Sequence, residues 1–314
     1  MLLSADNVNS LCIWKMQGSQ INEWELQTKL EAKNLLLAQW LSTESQYALP
    51  EGPAKSGLSE AKYAAPMEHQ DVPPGVPCIF TLSSVGECQL WHLWGVGPHA
   101  QWKWFSARLA TVHGVIHIAH AAQCRDTILV AVASQSTVTV FQLIVQFSQQ
   151  RIACKYHSVL HLHPFPIKMA EHTLLTPPRA SHVLLQPHPS GTHIGLIVLV
   201  EPADVSGGPP TQCFQLQRWR LTQTPNGLVP AFEDIARNKP PPPPNHSWVL
   251  ETQRDLSVGV CSLTALNDRS AIIAGLANGG VALFHPVTLD PLATSILPFK
   301  SLSLPRPKAP CATP

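Results

Sequence analysis

The feature that most constrains the fold of this 314-residue chain is a short pattern that recurs five times. In each copy an apolar run breaks at a polar or glycine turn and resumes as an alternating run that ends on Trp or Phe. Alternation with a period of two indicates half-buried β-strands, and a short turn between two such runs indicates a β-hairpin. The aromatic residues that close the five hairpins are Trp14, Trp91, Phe141, Trp219 and Phe284.

A hairpin that recurs along one chain predicts a repeat architecture. The predicted hairpins lie near residues 2–16, 78–94, 127–147, 193–223 and 270–289. We therefore expect an all-β, WD-repeat-like β-propeller over residues 1–297, with one hairpin in each blade and the closing aromatic residue in the blade core. A further strand should precede the later hairpins as the outer strand of each blade, in runs near 35–41, 115–119, 183–185 and 258–263.

The first of these preceding runs has a second interpretation. Leu26, Leu30, Leu37 and Leu41 also fall on one face of a helix, so periodicity alone allows an amphipathic helix over residues 23–41. The repeat pattern favours a strand. The first hairpin starts at Met1, inside what would be the second strand of a blade, so we expect a propeller that is incomplete at its amino-terminal end, as in a truncated product.

The spacing of the closing aromatic residues predicts insertions between blades. They lie 77, 50, 78 and 65 residues apart, whereas a compact WD-type blade takes about 40–45 residues. Proline-rich segments near 50–77 and 238–246 have little apolar periodicity and fit exposed insertions. The segment 298–314 has the same composition, and we expect it to be a disordered tail.

Composition excludes several classes of function. The net charge is +1 and only 13% of residues are charged, so no electrostatic footprint for sequence-specific nucleic-acid binding is present. The longest apolar runs fall well short of the roughly 18 residues that a membrane-spanning helix needs. The eight cysteines form no Cys-x-x-Cys pair, and those in apolar runs, Cys12, Cys88 and Cys261, should be buried thiols of a protein in a reducing compartment.

Catalytic and metal-binding motifs were sought among the fifteen histidines and the carboxylates. The sequence contains no His-Glu-x-x-His pair, no Gly-x-Ser-x-Gly elbow and no phosphate-binding glycine loop. The histidines between 113 and 120 and between 157 and 172 are better explained as strand and loop residues. We therefore expect no enzymatic activity, no cofactor and no metal site.

A tryptophan-rich segment offers a candidate partner surface. Trp102 and Trp104 lie on one face of an alternating run. Tryptophan is enriched at the centres of protein interfaces, so an exposed pair here would be a candidate binding site. A buried strand is the competing interpretation, and the alternation favours it.

The opening of the chain resembles a known family. The runs Leu2–Asp6, Leu11–Met16, Trp24–Glu25 and Leu35–Leu41 are similar in order and spacing to landmarks of the amino-terminal WD-repeat domain of Mediator complex subunit sixteen. The resemblance covers about the first 45 residues, and the later hairpins are compatible with this family as generic blades. The turn before Ser10 lacks the glycine expected there, and the helical carboxy-terminal region of the family is absent.

The resemblance implies a non-enzymatic subunit of the Mediator tail module in the nucleus. Such a subunit links gene-specific transcription activators to RNA polymerase II through contacts with activators and with other Mediator subunits. A cytosolic WD-repeat adaptor in a trafficking coat or a ubiquitin-ligase assembly is the alternative, and fold alone does not separate the two. The sequence leaves open which face of the propeller binds which partner.

Overall fold

The structure, a computed structural model, describes residues 2–5, 10–17, 23–41, 47–48, 62–63, 78–94, 101–109, 115–124, 127–134, 136–146, 149–163, 165–168, 173–187, 194–202, 214–224, 245–266 and 271–296. Most of the two predicted proline-rich insertions and all of the predicted tail at 298–314 lie outside these residues. The regular elements of the described residues are β-strands, numbered β1–β23 along the chain.

The first nine strands are β1 (Leu2–Ala5), β2 (Ser10–Met16), β3 (Trp24–Glu31), β4 (Leu35–Leu41), β5 (Tyr47–Ala48), β6 (Lys62–Tyr63), β7 (Cys78–Ser83), β8 (Glu87–Trp94) and β9 (Gln101–Arg108). Those that follow are β10 (Ile118–Cys124), β11 (Thr127–Ser134), β12 (Thr137–Gln146), β13 (Arg151–His161), β14 (Phe165–Lys168) and β15 (Thr173–Thr176). The last are β16 (Pro178–Pro187), β17 (Ile194–Pro202), β18 (Phe214–Thr224), β19 (Asn245–Leu256), β20 (Val260–Ala265), β21 (Ile272–Leu276), β22 (Gly280–Phe284) and β23 (Pro291–Ile296).

These strands form five blades, each a meander of antiparallel strands in chain order. Blade 1 contains β1-β2-β3, blade 2 contains β4-β7-β8-β9, blade 3 contains β10 to β13, blade 4 contains β16 to β19, and blade 5 contains β20 to β23. Two small hairpins, β5-β6 and β14-β15, lie outside the blade sheets. The described part of the chain is an all-β, WD-repeat-like β-propeller of five blades, as the repeat pattern predicts.

The strands that precede the hairpins lie on the inner side of the blades. The first strands of successive blades are neighbours, β4 with β10, β10 with β16, and β16 with β20, whereas the last strands β3, β9 and β19 are mostly exposed. The prediction that the preceding strands are outer strands is therefore wrong. In blade 1 the described strands β1, β2 and β3 correspond to the second, third and outer strands of the other blades.

The ambiguous segment 23–41 is two strands and not a helix. β3 and β4 are separated by a turn in which Asn34 adopts the left-handed conformation, with φ of 52°. The hairpin turns of blades 2 and 5 use glycine in the same way, since Gly86 has φ of 83° and Gly279 has φ of 80°. Glycine reaches positive φ without the steric cost that a Cβ atom imposes, so these turns close tightly.

The hydrophobic core lies between successive blades. Four clusters of buried side chains join blade 1 to blade 2, blade 2 to blade 3, blade 3 to blade 4, and blade 4 to blade 5. Each cluster combines side chains from one face of a blade with side chains from the opposing face of the next blade, because alternation along a strand sends neighbouring residues to opposite faces. The internal strands β7, β11 and β17 are thus buried on both faces.

Candidate interaction surface

The closing aromatic residues of blades 2 to 5 face the preceding blade. Phe141 of blade 3, for example, packs in the cluster that contains Phe80 and Leu90 of blade 2. Trp91, Phe141, Trp219 and Phe284 are between 0% and 5% exposed. Trp14 is half-buried. We call the face of a blade that bears the closing aromatic residue its aromatic face, and the opposite face its aliphatic face.

A β-bulge accompanies the closing aromatic residue in four of the five blades. The pairing with the outer strand shifts by one residue at Ile13/Trp14, Val140/Phe141, Arg218/Trp219 and Leu283/Phe284. The extra residues on the outer strands are Gln27, His157, Glu251 and Leu292. A bulge strengthens the local twist and redirects side chains, so it changes what the outer rim of each blade presents. No periodicity argument could find these bulges.

The two tryptophans of blades 1 and 2 share one hydrogen-bond pattern. The Trp91 indole Nε1 donates to Thr81 Oγ1 at 3.3 Å, in a buried position. The Trp14 indole Nε1 donates to Ser4 Oγ at 2.8 Å, in an exposed position. In each blade the acceptor lies ten residues upstream on the second strand, so the hydroxyl satisfies the one donor of the indole ring.

Each outer strand places an apolar side chain directly opposite the closing aromatic residue. These cross-strand partners are Leu26, Trp104, Tyr156, Leu250 and Pro291. Leu26 is 44%, Trp104 51%, Tyr156 48% and Leu250 37% exposed, and Pro291 is exposed as well. Blades of a propeller diverge with distance from its axis, so on blades 2 to 5 the outermost residue of the aromatic face extends beyond the cover of the preceding blade. We call these five residues the outer apolar row.

The two tryptophans of the candidate partner surface, Trp102 and Trp104, differ in their environment. Trp104 is the largest member of the outer apolar row. The Trp104 ring packs against Trp91 in a tilted arrangement, with 5.7 Å between ring centroids and 44° between the ring planes, and Trp104 is 51% exposed. Trp102 is half-buried against Trp40, with 6.3 Å between ring centroids. Only Trp104 therefore offers a broad aromatic surface, on a ring already fixed by its neighbour.

A buried arginine distinguishes the interface between blades 4 and 5. Arg218 lies on the aliphatic face immediately before the closing Trp219, where blades 1, 2, 3 and 5 have Ile13, Leu90, Val140 and Leu283. Its guanidinium Nε donates to Glu251 Oε2 at 2.8 Å, and Nη1 donates to the Pro286 carbonyl oxygen. Glu251 also pairs with Arg220 at 2.9 Å. The charge of Arg218 is thus compensated, as a buried charge requires.

Three of the described histidines, His157, His182 and His246, are half-buried side chains. His157 and His246 lie 4.9 Å apart between ring centroids, on the outer strands of blades 3 and 4. Burial lowers the pKa of His157, and His246 and Lys155 lower it further. Burial also lowers the pKa of His182, whose Nε2 lies 3.3 Å from the Cys261 carbonyl oxygen. Neutral imidazole is therefore favoured at both positions.

The cysteines also differ from one another in environment. Cys78 and Cys88 are buried, and burial raises the pKa of Cys78 to about 11 and the pKa of Cys88 further still. Thiols with raised pKa values are weak nucleophiles at neutral pH. Cys261 is exposed and Cys12 is half-buried, so the prediction that both are buried is wrong. Cys261 lies on the inner strand β20 of blade 5, on the side that faces away from the core.

The described residues were also searched for metal sites and membrane spans. No group of three or more His, Cys, Asp or Glu side chains in this part of the chain is placed to hold a metal ion. Nor does any helix among the same residues have the length and apolar character to cross a bilayer. The candidate binding surface in this part of the chain is the outer apolar row.

Comparisons with known proteins add little to this geometry. No protein-family model matches the chain, and no curated protein matches it. Among solved structures, the chain is similar to the crystal structure of Saccharomyces cerevisiae Sqt1, with 11% sequence identity and a TM-score of 0.40. That similarity covers 94% of this chain and 70% of the Sqt1 chain.

Proposed function

We propose that this chain is a non-enzymatic scaffold that binds other proteins through its outer apolar row. The observation that supports the proposal most is Trp104, which is 51% exposed although its ring is held against Trp91. A large aromatic side chain that is already fixed loses little conformational entropy on binding, and tryptophan is enriched among residues that dominate interface energy. WD-type propellers typically serve as interaction scaffolds.

The assembly that we propose is the Mediator complex, with this chain in its tail module in the nucleus. Support comes from the opening landmarks, whose described residues lie on β1 to β4 with Trp14 as the closing aromatic residue of blade 1. The partners would be other Mediator subunits and transcription activators. The near-neutral charge of the chain agrees with protein partners and not with a direct reader of DNA sequence.

Quantitative affinity purification tests both parts of this proposal. The tagged full chain is expressed in cells and compared with Trp104→Ala and with Val85→Ala, a matched variant because Val85 is 50% exposed in the hairpin turn of blade 2. We expect the wild-type chain and Val85→Ala to recover Mediator tail subunits. Trp104→Ala should recover them at least about tenfold less, the loss typical of an interface hot spot.

The outcomes separate the assembly from the surface. Recovery of coat or ubiquitin-ligase subunits in place of Mediator subunits would refute the Mediator assignment and support the cytosolic adaptor. Equal recovery by Trp104→Ala, with unchanged thermal unfolding, would refute the outer apolar row as the binding surface. Thermal unfolding of each purified variant is the control, since a misfolded variant loses partners for a trivial reason.

A further inference from the structure

Buried polar atoms without a partner concentrate at one interface of the propeller. Six buried side-chain nitrogen or oxygen atoms in the described part of the chain have no hydrogen-bond partner, and three of them belong to Ser158, His246 and Trp248. The three atoms are Ser158 Oγ, His246 Nδ1 and Trp248 Nε1. Buried polar groups nearly always have a partner in a folded protein, so three unpaired atoms at one interface need an explanation. We call these three side chains the polar cluster.

The polar cluster lies at the outer rim of the interface between blades 3 and 4. Ser158 lies on β13 opposite Val140, whose side chain belongs to the core cluster of that interface. His246 and Trp248 lie on the same face of β19, and Trp248 packs against the same core cluster. The two blades approach each other closely here, since the rings of His157 and His246 lie 4.9 Å apart between centroids. The outer strands of two blades therefore bring the unpaired atoms to one rim.

The surroundings of the polar cluster combine apolar and cationic side chains. Leu250 of the outer apolar row continues the aromatic face of blade 4 and is 37% exposed, and Ile144 on the aliphatic face of blade 3 is 38% exposed. Lys155 lies on that same face of blade 3 and is exposed. Burial lowers the pKa of His157, and the positive charges of His246 and Lys155 lower it further. Such surroundings favour a negative group that is flanked by apolar ones.

We propose that the polar cluster binds an acidic side chain of a partner protein, an aspartate or glutamate with apolar neighbours in its own sequence. The Trp248 indole can only donate, and the Ser158 hydroxyl and the His246 imidazole can donate as well. A carboxylate accepts several hydrogen bonds at once and has the charge that complements Lys155. The apolar neighbours of the acidic residue would then contact Ile144 and Leu250.

The ligand can reach the polar cluster at little cost to the fold. His246 and Trp248 are half-buried on an outer strand, so part of each ring lies at the surface. A rotation that exposes Nδ1 or Nε1 breaks no hydrogen bond, because neither atom makes one within the described residues. The site lies on blades 3 and 4, whereas Trp104 lies on blade 2, so this proposal and the proposed function can fail separately.

NMR spectroscopy on the full chain, isotope-labelled at the tryptophan indole nitrogens, tests the proposal. The probes are the peptide N-acetyl-Leu-Glu-Leu-amide and its glutamine analogue N-acetyl-Leu-Gln-Leu-amide, which differ only in the charge of the central side chain. The Trp248 resonance is assigned by its loss in Trp248→Phe. We expect the acidic peptide to shift this resonance and to bind at least about tenfold more tightly than the glutamine peptide, because hydrogen bonds to a charged acceptor are stronger.

Two variants separate a ligand site from a structural role. Trp248→Phe keeps an aromatic ring and removes a donor that has no partner, so its thermal unfolding temperature should stay the same or rise. Its affinity for the acidic peptide, measured from the signals of the peptide itself, should fall at least about tenfold. Ser158→Ala should also weaken binding of the acidic peptide, and it keeps the Trp248 resonance for direct measurement. Trp104→Phe is the matched control and should bind both peptides as the wild-type chain does.

Three results would overturn the proposal. Equal affinity for the two peptides would show that the site does not recognise charge. A Trp248 indole resonance that does not move at any concentration of the acidic peptide would assign the polar cluster to an ordered water molecule in place of a partner. A lower thermal unfolding temperature of Trp248→Phe would show that the indole N–H has a partner within the folded chain.

Discussion

Blades 1 and 2 have nearly the same local design, yet their closing tryptophans lie in different environments. Trp14 and Trp91 each donate to a hydroxyl ten residues upstream, and each lies opposite an apolar residue of the outer strand. Trp91 is 5% exposed because blade 1 covers it, whereas Trp14 is half-buried. The comparison separates what a blade provides by itself from what its neighbour adds.

The blade by itself provides the hairpin and the indole hydrogen bond. The neighbour adds burial, and burial of apolar area is the larger contribution, since it is worth about 25 cal/mol per Å², whereas a single hydrogen bond adds only about 1 kcal/mol net. The stability of the propeller should therefore reside mainly in the interfaces between blades.

Alanine substitution of the two tryptophans should give the largest difference. Trp91→Ala removes a fully covered ring and should lower the free energy of unfolding by about 3–5 kcal/mol. Trp14→Ala removes a ring that keeps part of its contact with water in the folded state, and should cost about 1–2 kcal/mol. Urea unfolding measures both variants. Equal costs would mean that coverage by a neighbour does not govern blade stability.

Arg218→Ala should have the next largest effect and extends the comparison to the interface between blades 4 and 5. The substitution removes the ion pair with Glu251 and the hydrogen bond to Pro286, and should cost about 2–3 kcal/mol because Glu251 keeps only its contact with Arg220. Urea unfolding measures the loss. The matched double variant, Arg218→Leu with Glu251→Gln, places an apolar residue where the other blades have one and removes the charge of Glu251. It should recover most of the stability, and failure to do so would argue for a specific role of the ion pair.

Removing the hydroxyl acceptors should give a smaller effect, again in the order set by burial. Thr81→Val leaves the Trp91 indole N–H without a partner in a buried site and should cost about 1–2 kcal/mol. Ser4→Ala exposes the Trp14 indole to water, which replaces the lost acceptor, so its cost should stay below about 0.5 kcal/mol. Both are measured by thermal unfolding, and a larger loss for Ser4→Ala than for Thr81→Val would reverse the argument.

The sequence predicts the repeat fold because the strands that are buried on both faces have continuous apolar runs between turn residues. The strands β11 and β17 are almost continuously buried, and their apolar runs stand out from the flanking turns. Outer strands are harder to interpret, since β3 is exposed along most of its length. Polar residues separate the few apolar residues of this strand, so the strand pattern is weak. A helix over 23–41 therefore also fitted the sequence.

The candidate surface was only partly predictable. Trp104 was identified from its side-chain type, but its exposure depends on how far the outer strand extends beyond the preceding blade. Leu250 and Tyr156 acquire the same position through bulges, and a bulge leaves no periodic signal. The role of Arg218 was also missed, because the pairing with Glu251 joins residues 33 positions apart in the sequence.

The smallest expected effect is a pH dependence that belongs to a covered interface. His157 and His246 meet between blades 3 and 4. Burial lowers the pKa of His157 in the folded state, and the charges of His246 and Lys155 lower it further. The unfolded chain then binds protons more readily as the pH falls below the ordinary histidine pKa near 6.5, so stability is full above that pH and declines below it.

Urea unfolding between neutral and mildly acidic pH should show this decline in the wild-type chain, and His157→Gln should make the decline shallower. Val85→Ala, which removes no titratable group, serves as the control and should leave the slope unchanged. An equally steep decline in His157→Gln would assign the effect to other groups and leave the interface between blades 3 and 4 insensitive to pH.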